Sequence, residues 1–306
     1  MATARVSVDV QYQIREEVLD KISKIDPYNR PILASIGRRN VKNTYVQWTT
    51  QELAEPSSSN AEVHGFTTTF AAADSTKRGQ ANNYTQLIAK KVAVDLSMEA
   101  VDVAGLGVGN ELKEQKSLKF TEMLNDVEAS AISANTAVQP LPNSSQAGVM
   151  AGIQTFVTNN AIVAGSGTYP SYITPDMYDD LAVLVKKDGG MPNKTFSGLQ
   201  CLRQISGWVT QTTREIGNDG RRMTNIIEQY RGVAGLQDLI YHSQLTTVLL
   251  MLETGRFEMG WLREPKWHPY PDGIYDYSGG TYKTECTLIS LQQKASGKIT
   301  SLGYTA

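Results

Sequence analysis

A long polar excursion between two strand-like stretches constrains this chain more than any other feature of its sequence. Residues 45–48, with the sequence YVQW, alternate like a strand with one apolar face, and residues 82–95 form a second extended stretch. Between them lie Glu55, Pro56 and three consecutive serines, which are poorly suited to a core. Because a two-stranded ribbon is marginally stable in water on its own, we expect this region to need a surface beyond its own strands.

The residues that we predict to meet a neighbouring copy are three isolated aromatic side chains and two basic pairs in polar, glycine-containing loops. They are Trp48, Phe66, Phe70, Lys77, Arg78, Arg221 and Arg222. Aromatic residues often dominate protein interfaces, which supports the first three. For the basic pairs, a solvated loop is the simpler interpretation, and contact with an acidic neighbouring chain is the functional alternative.

The composition is that of an ordinary soluble globular protein, with 306 residues, of which 41% are hydrophobic and 20% charged. The formal net charge of -2 argues against a surface built to bind nucleic acid, because such domains are usually strongly basic. Cys201 and Cys286 are too few for a disulfide framework or a zinc site, and we expect both to be buried. The N-terminal sequence lacks the apolar core of a signal peptide, and the longest apolar run, residues 248–252, is too short for a bilayer. We therefore expect synthesis in a cytoplasm and no membrane partner.

Two helices are predicted in the middle of the chain. Residues 110–137 contain neither proline nor glycine, and as one helix they would be about 40 Å long. Their apolar residues recur at helical spacing and predict one buried face, formed by Phe120, Met123, Leu124, Val127, Ala131 and Ala134. The second helix has Thr174 as its N-cap, Pro175 as its first residue and Gly189 at its end. A shorter amphipathic helix is predicted near residues 14–25.

The last third of the chain is predicted to be mainly β. Residues 223–230 and 238–242 flank a bend, and residues 247–252 and 257–262 are expected to form another strand pair. Residues 281–302 then predict a long strand, a turn and a short strand. Helices in the middle with strands before and after them predict the α+β class.

No catalytic, cofactor-binding or metal-binding constellation emerges from the sequence. The stretch AGLGVGN at residues 104–110 has asparagine where a dinucleotide loop needs glycine, and it lacks the Lys-Ser/Thr pair of a P-loop. The three histidines, His64, His242 and His268, show no metal-ligand spacing and are interpreted as ordinary surface or core residues. We therefore predict that the protein is not an enzyme and uses no cofactor.

Several stretches of the sequence resemble major capsid proteins of tailed phages, which share the Hong Kong phage-type fold with encapsulin shells and the herpesvirus capsid floor. They are YVQW, NYTQLIAKKVAVDLSMEAV, FTEMLNDVEASAI, AGVMAGIQTFV, ITPDMYDDLAVLVKKDGG, FEMGWLREP and YKTECTLISLQQKASGKITSL. The resemblance implies an N-terminal arm at residues 1–42 and an extended β-hairpin loop at 43–95. It further implies a peripheral domain with a long spine helix at 96–144, an axial domain at 145–255, and return strands of the peripheral domain at 256–306.

The resemblance also implies a function, that of a structural protein which self-assembles into the icosahedral head shell enclosing phage DNA. The implied partners are other copies in hexamers and pentamers, packaged DNA enclosed without specific binding, and scaffolding, portal and cement proteins as further candidates. The implied location is the virion, after synthesis in the host bacterial cytoplasm. Two alternatives stay open at this point: an encapsulin-like nanocompartment shell, and a small α+β enzyme with an unrecognised site.

Overall fold

The computed structural model describes part of the chain. The described residues are 25–303 without 54–55, 57, 60, 62–63, 66–77, 104–105, 142–145, 209–228, 234 and 272–275. The amphipathic helix predicted near residues 14–25 lies outside them, apart from Ile25, which is 90% exposed.

The described residues form six α-helices and twelve β-strands, which confirms the α+β class. The helices are α1 (Pro31–Ser35), α2 (Leu96–Ala100), α3 (Glu111–Ile132), α4 (Ile153–Phe156), α5 (Pro175–Lys187) and α6 (Leu199–Ser206). The strands are β1 (Gly37–Asn40), β2 (Tyr45–Gln51), β3 (Arg78–Tyr84), β4 (Gln86–Asp95), β5 (Ala161–Val163), β6 (Lys194–Ser197), β7 (Gln229–Gly232), β8 (Gly235–Tyr241), β9 (Leu249–Leu252), β10 (Phe257–Pro269), β11 (Tyr277–Ser290) and β12 (Gly297–Thr300). No helix in the described part combines the length and the apolarity needed to cross a bilayer.

The strands form three sheets, with the orders β1-β10-β11-β4, β5-β12-β9-β6-β8-β7 and β2-β3. In the six-stranded sheet β9 runs antiparallel to β6 and β12, whereas β8 is parallel to β6 and β5 is parallel to β12. The chain divides into two compact units. One includes Lys90–Glu122 and Trp267–Tyr282, and the other consists of Pro27–Ala89, Met123–Lys266 and Lys283–Ala306.

A large apolar core of the second unit lies between α5, α6 and the six-stranded sheet. Its main members are Ile162, Met177, Tyr178, Leu181, Ala182, Cys201, Ile205, Leu249, Met251 and Ile299. The helix α5 has the predicted ends, because Thr174 Oγ1 accepts a hydrogen bond from the Met177 backbone N–H at 3.2 Å and Gly189 has φ +82°. These local signals place the apolar side of α5 on the sheet.

The predicted pairing of residues 247–252 with residues 257–262 is wrong. Strand β9 pairs with β6 and β12 in the six-stranded sheet, whereas β10 belongs to the four-stranded sheet. All four residues of β9 are buried, so this strand needs a neighbour on each side, and a hairpin partner alone would leave one edge open. A 3-10 turn at Thr254–Arg256 separates the two strands.

The long helix predicted at residues 110–137 is observed as α3, an uninterrupted helix of 22 residues. The predicted positions that are buried are Met123, Val127 and Ala131. Leu124 is half-buried, and Phe120 is 38% exposed. Ala134 is exposed because the helix ends before it. The buried stripe is therefore confined to the C-terminal half of α3.

We expect Met123→Pro to yield insoluble protein. Met123 has no exposed surface and lies inside α3, where proline removes a backbone hydrogen bond and costs about 3 kcal/mol or more. Glu122→Ala is the control, since Glu122 is a partly exposed residue that pairs with Lys119 at 2.8 Å. Recovery of soluble protein after expression is the measurement, and soluble Met123→Pro that still assembles would contradict the role given to α3.

Candidate assembly site

Strands β2 and β3 form an antiparallel hairpin. The predicted second strand at residues 82–95 is divided, because only residues 82–84 belong to this hairpin and β4 joins the four-stranded sheet. The register pairs Tyr45 with Tyr84 at the base and Gln51 with Arg78 at the far end. Residues of β2 alternate between exposed and half-buried, and none of them is fully buried. The hairpin therefore has little core of its own, which agrees with the expectation from its sequence.

Two side-chain contacts tie β2 and the residue that follows it, Glu52, to parts of their own chain outside the hairpin. Trp48 Nε1 donates a hydrogen bond to the Ser290 carbonyl at 2.6 Å, and its ring lies 5.8 Å from the ring of Phe156. Lys294 Nζ pairs with Glu52 Oε2 at 2.5 Å, and this hydrogen bond raises the pKa of Lys294. Trp48 was predicted to need a neighbour's surface, whereas its own chain supplies part of that surface. The half-exposed remainder of Trp48 stays a candidate contact.

The other predicted contact residues divide between exposed and undescribed positions. Arg78 is exposed at the start of β3, next to the excursion. The remaining five, which are Phe66, Phe70, Lys77, Arg221 and Arg222, lie outside the described residues. The structure therefore brings Trp48 and Arg78 together on one hairpin.

A buried asparagine fixes the base of the hairpin. The Asn83 amide nitrogen donates to the Ala151 and Leu288 carbonyls at 3.1 and 2.8 Å. Its oxygen accepts from the backbone N–H of Ala151 at 2.9 Å and of Tyr84 at 2.9 Å. Asn83 has no exposed surface, and each of its polar atoms has a partner, so the base of β3 has a single well-determined position.

A buried carboxylate holds the segment that precedes β1. Glu128 lies on α3 with no exposed surface, and its two oxygens accept from the Ile32 and Leu33 backbone N–H groups, each at 2.9 Å. His242 Nε2 donates to Glu128 Oε1 at 3.0 Å. The Nδ1 atom of His242 accepts from the Gln244 backbone N–H at 3.1 Å, which assigns the proton to Nε2 and makes the ring neutral.

Three hydrogen bonds beside this network, made by two polar residues, strengthen the attachment. Asn29 donates to the Tyr241 carbonyl at 2.6 Å and accepts from the Ser243 backbone N–H at 3.1 Å. Arg30 donates to Asn125 Oδ1 of α3 at 2.7 Å. Residues 29–33 are thus bound both to α3 and to the end of β8 with the residues that follow it. These bonds hold residues 29–33, the part of the predicted N-terminal arm that they include, against the rest of the subunit.

The sequence analysis missed Glu128 and interpreted His242 as an ordinary histidine. One signal was available, because Glu128 falls four residues after Leu124 and three before Ala131, on the apolar stripe of α3. A carboxylate on such a stripe needs buried donors. Nothing local in the sequence indicates that those donors come from Ile32, Leu33 and His242.

A second buried polar cluster lies under α5. The Tyr178 hydroxyl lies 2.8 Å from Thr195 Oγ1 and also donates to Gln237 Oε1. Burial raises the pKa of Tyr178 well above its usual value, so the hydroxyl stays protonated. The cluster lacks a nucleophile with an adjacent base, and no group of described residues could hold a metal ion. Gln237 Nε2 is buried without a hydrogen-bond partner, and the remaining polar groups of the cluster bond to one another inside the core.

We expect Glu128→Ala to destabilise the subunit by about 3 kcal/mol or more. Two buried donors, the Ile32 N–H and His242 Nε2, and the part-buried Leu33 N–H lose their acceptor at once, and an unpaired buried donor costs about 1–3 kcal/mol. Urea unfolding of unassembled subunits is the measurement. Glu264→Ala removes an exposed carboxylate from β10 and should change stability by less than about 0.5 kcal/mol. Equal midpoints for the two variants would show that the Glu128 network does not hold the arm.

Comparisons with known proteins agree with a shell protein. The family model described as SU10 major capsid protein matches residues 3–303. No curated protein matches the chain. A solved chain from Microbacterium phage Oxtober96 is 16% identical, with a TM-score of 0.65 over 96% of this chain and 98% of that chain. The capsid of a native GTA particle is 11% identical, with a TM-score of 0.64 over 99% and 100% of the two chains.

The fold is also similar to that of the SrpI encapsulin of Synechococcus elongatus, which is 12% identical, with a TM-score of 0.61 over 100% of this chain and 99% of that chain. At such identities structural similarity establishes the fold alone, and that fold is the Hong Kong phage-type fold. Function follows from the family model, which spans nearly the whole chain. The chain belongs to the SU10 major capsid protein family and is a structural, non-enzymatic component of a phage capsid shell.

Proposed function

We propose that copies of this chain associate as hexamers and pentamers into the icosahedral head shell that encloses phage DNA. The observation that carries this proposal is the hairpin. Its strands are mostly exposed, and the 25 residues that join Glu52 to Arg78 leave the hairpin beyond the attachments of Trp48 and Glu52 to their own chain. A neighbouring copy is the surface best suited to hold that excursion, because it is present at every position of a closed shell.

The proposed regions are those that the resemblance implies. The N-terminal arm is residues 1–42, the extended loop is 43–95, and the peripheral domain with α3 as its spine is 96–144. The axial domain is residues 145–255, and the return strands of the peripheral domain are 256–306. Five of the six strands in the six-stranded sheet fall within 145–255, which supports the axial assignment. The sixth, β12, reaches that sheet from the return segment.

The contacts between copies would use Trp48, Arg78 and the undescribed candidates at residues 66, 70, 77, 221 and 222. Scaffolding, portal and cement proteins are further proposed partners of the assembled shell. We propose that the chain is synthesised in the host bacterial cytoplasm and is then incorporated into the virion.

The encapsulin-like alternative shares the fold and is separated from this proposal by the contents of the particle. A phage head encloses DNA, whereas a nanocompartment would enclose a protein cargo. The family match favours the head. Particles isolated from infected cells should therefore contain nuclease-protected DNA, and particles filled with protein alone would favour the alternative.

We expect replacement of residues 53–77 by a short Gly-Asn turn to abolish shell formation while the subunit stays folded. The turn suits a tight antiparallel hairpin, and the deletion keeps Trp48, Glu52 and Arg78 in place. Circular dichroism and a cooperative melt report folding, and electron microscopy reports shells. Normal closed shells from this variant would mean that the excursion is only a surface loop.

Two substitutions at Trp48 test how much the attachment of the hairpin to its own chain contributes to assembly, apart from the contribution of the excursion. Trp48→Ala removes both the hydrogen bond to Ser290 and the ring contact with Phe156, and should reduce assembly less than the deletion does. Trp48→Phe keeps an aromatic ring and removes only the hydrogen bond, so its effect should be smaller again. The yield of shells at matched protein concentration is the measurement, and a reversed order would contradict the intramolecular role of Trp48.

We expect unassembled subunits to bind duplex DNA weakly at physiological salt. The formal net charge is -2, so the chain carries no large excess of cations to neutralise phosphates. The measurement is the affinity for duplex DNA over a series of salt concentrations. The logarithm of the affinity falls with the logarithm of the salt concentration with a slope of about 0.9 per phosphate contact. A slope equivalent to six or more contacts would contradict the proposal that the shell encloses DNA without binding it specifically.

A further inference from the structure

One edge of the four-stranded sheet is open in the described structure. Strand β4 is the last strand of that sheet, and β11 lies on its inner side. Among the described residues, no strand lies beside the other side of β4. Open edges of this kind are templates for pairing with another chain, and native proteins usually cover or interrupt them.

The side chains of β4 alternate regularly between its two faces. Ile88, Val92 and Val94 are buried on one face, with 7%, 4% and 7% of their surface exposed, and this face also carries the partly buried Lys90. Lys91 and Asp95 are exposed on the opposite face. A strand added to this edge would match it with apolar residues on the buried face and charges of opposite sign on the exposed face.

A groove lies beside the start of β4 and has a volume of about 450 Å³. Its lining consists of residues 86–89 of β4 and of Asp126, Ala129 and Ser130 from α3. The alanine and serine side chains are small, so the groove has room for a large side chain from an added strand.

A segment with the matching pattern lies in the sequence outside the described residues. Residues 5–12 read RVSVDVQY, so that valine or tyrosine alternates with a polar residue over the whole stretch. This period of two is the signature of a strand with one apolar face, and it differs from the helical spacing that begins at Ile14.

We propose that residues 5–12 of a neighbouring copy add to the outer edge of β4 as an antiparallel strand. In the register that sets Asp9 opposite Lys91, Arg5 stands opposite Asp95, so both charge pairs are complementary. A parallel strand with Asp9 opposite Lys91 would set Arg5 opposite Leu87 and would keep only one pair. Charge complementarity therefore selects both the direction and the register.

The same antiparallel register matches the apolar face at three of four positions. It sets Val6 opposite Val94, Val8 opposite Val92, and Tyr12 opposite Ile88. At the fourth position Val10 stands opposite the partly buried Lys90, whose aliphatic stem is the part it can contact. Ile88 lines the groove, and Tyr12 has the size to enter it. Main-chain hydrogen bonds would supply affinity, and the alternating side chains would supply the register, as in other complexes formed by strand addition.

The choice of a neighbouring copy rests on the proposed function. The donor segment and the acceptor edge are different surfaces, so each copy can donate one strand and accept another. Such a head-to-tail contact forms a ring when its rotation closes, and the capsomers of a shell are rings of this kind. A strand donated to its own copy would close the edge without joining two subunits.

The test is a cysteine pair, Asp9→Cys with Lys91→Cys, in the full-length chain. The native cysteines give a low background, because both are buried and burial raises the pKa of Cys201 to about 11 and that of Cys286 to about 12. Mild oxidation of assembled shells should link most chains into a ladder of covalent oligomers on a non-reducing gel. The matched control, Val10→Cys with Lys91→Cys, sets the two thiols on opposite faces of the paired strands and should link at least fivefold less.

Each outcome decides the inference. A ladder in the test pair and not in the control supports strand donation between copies. A link within single chains, or no link, overturns it. Electron microscopy of the same samples separates the two proposals, because normal shells without a ladder would refute the donated strand and leave the proposed function intact.

A charge exchange provides a second readout that does not depend on cysteine geometry. Asp9→Lys and Lys91→Asp should each raise the protein concentration needed for assembly by about two- to fivefold, the range for an exposed ion pair. The double variant should assemble at the same protein concentration as the natural sequence. Absence of this rescue would contradict the register.

Discussion

The placement of α1 and β1 depends on the hydrogen bonds that the buried carboxylate of Glu128 accepts. Glu128 has no exposed surface, and a carboxylate buried there without hydrogen-bond partners would destabilise the folded chain by several kcal/mol. Its three donors must therefore reach it when the chain folds. Two of those donors belong to α1, and β1 begins two residues after α1 ends. The same bonds that satisfy Glu128 therefore set the start of β1, which pairs in parallel with β10 from Gly37 opposite Glu258 onward.

Polar side chains continue this positioning as far as the hairpin. Asn83 joins the end of β3 to Ala151 and Leu288, and Thr287 Oγ1 donates to the Tyr84 carbonyl at 3.0 Å. Hydrogen bonds have stricter geometry than apolar contacts, so the base of the hairpin is held in direction as well as in place. Further out, the attachments are an exposed ion pair and one half-buried tryptophan, which hold less firmly. The hairpin is thus fixed where it leaves the subunit and adaptable where a neighbour would receive it.

Local signals made part of this fold predictable from the sequence. Thr174, Pro175 and Gly189 mark the ends of α5 because capping and backbone conformation depend on a few adjacent residues. The partners of β9 were not predictable in this way, because an all-buried strand carries no sign of which strands flank it. The contact of Glu128 with His242 spans 114 residues, and that of Trp48 with Ser290 spans 242. Such contacts follow from the folded topology and have no local pattern that could predict them.

A shell subunit has to fold alone and still keep apolar surface for its neighbours. The helix α2 shows how this chain distributes that surface, since it has no buried residue, and Leu96 and Met98 are 46% and 47% exposed. Burying such side chains stabilises an assembly by about 25 cal/mol per Å² of apolar surface, yet a single copy cannot gain this energy. Each exposed patch is too small to join two monomers strongly by itself. Closure of many copies around a shell adds these small terms together, so assembly becomes cooperative while the isolated subunit stays soluble.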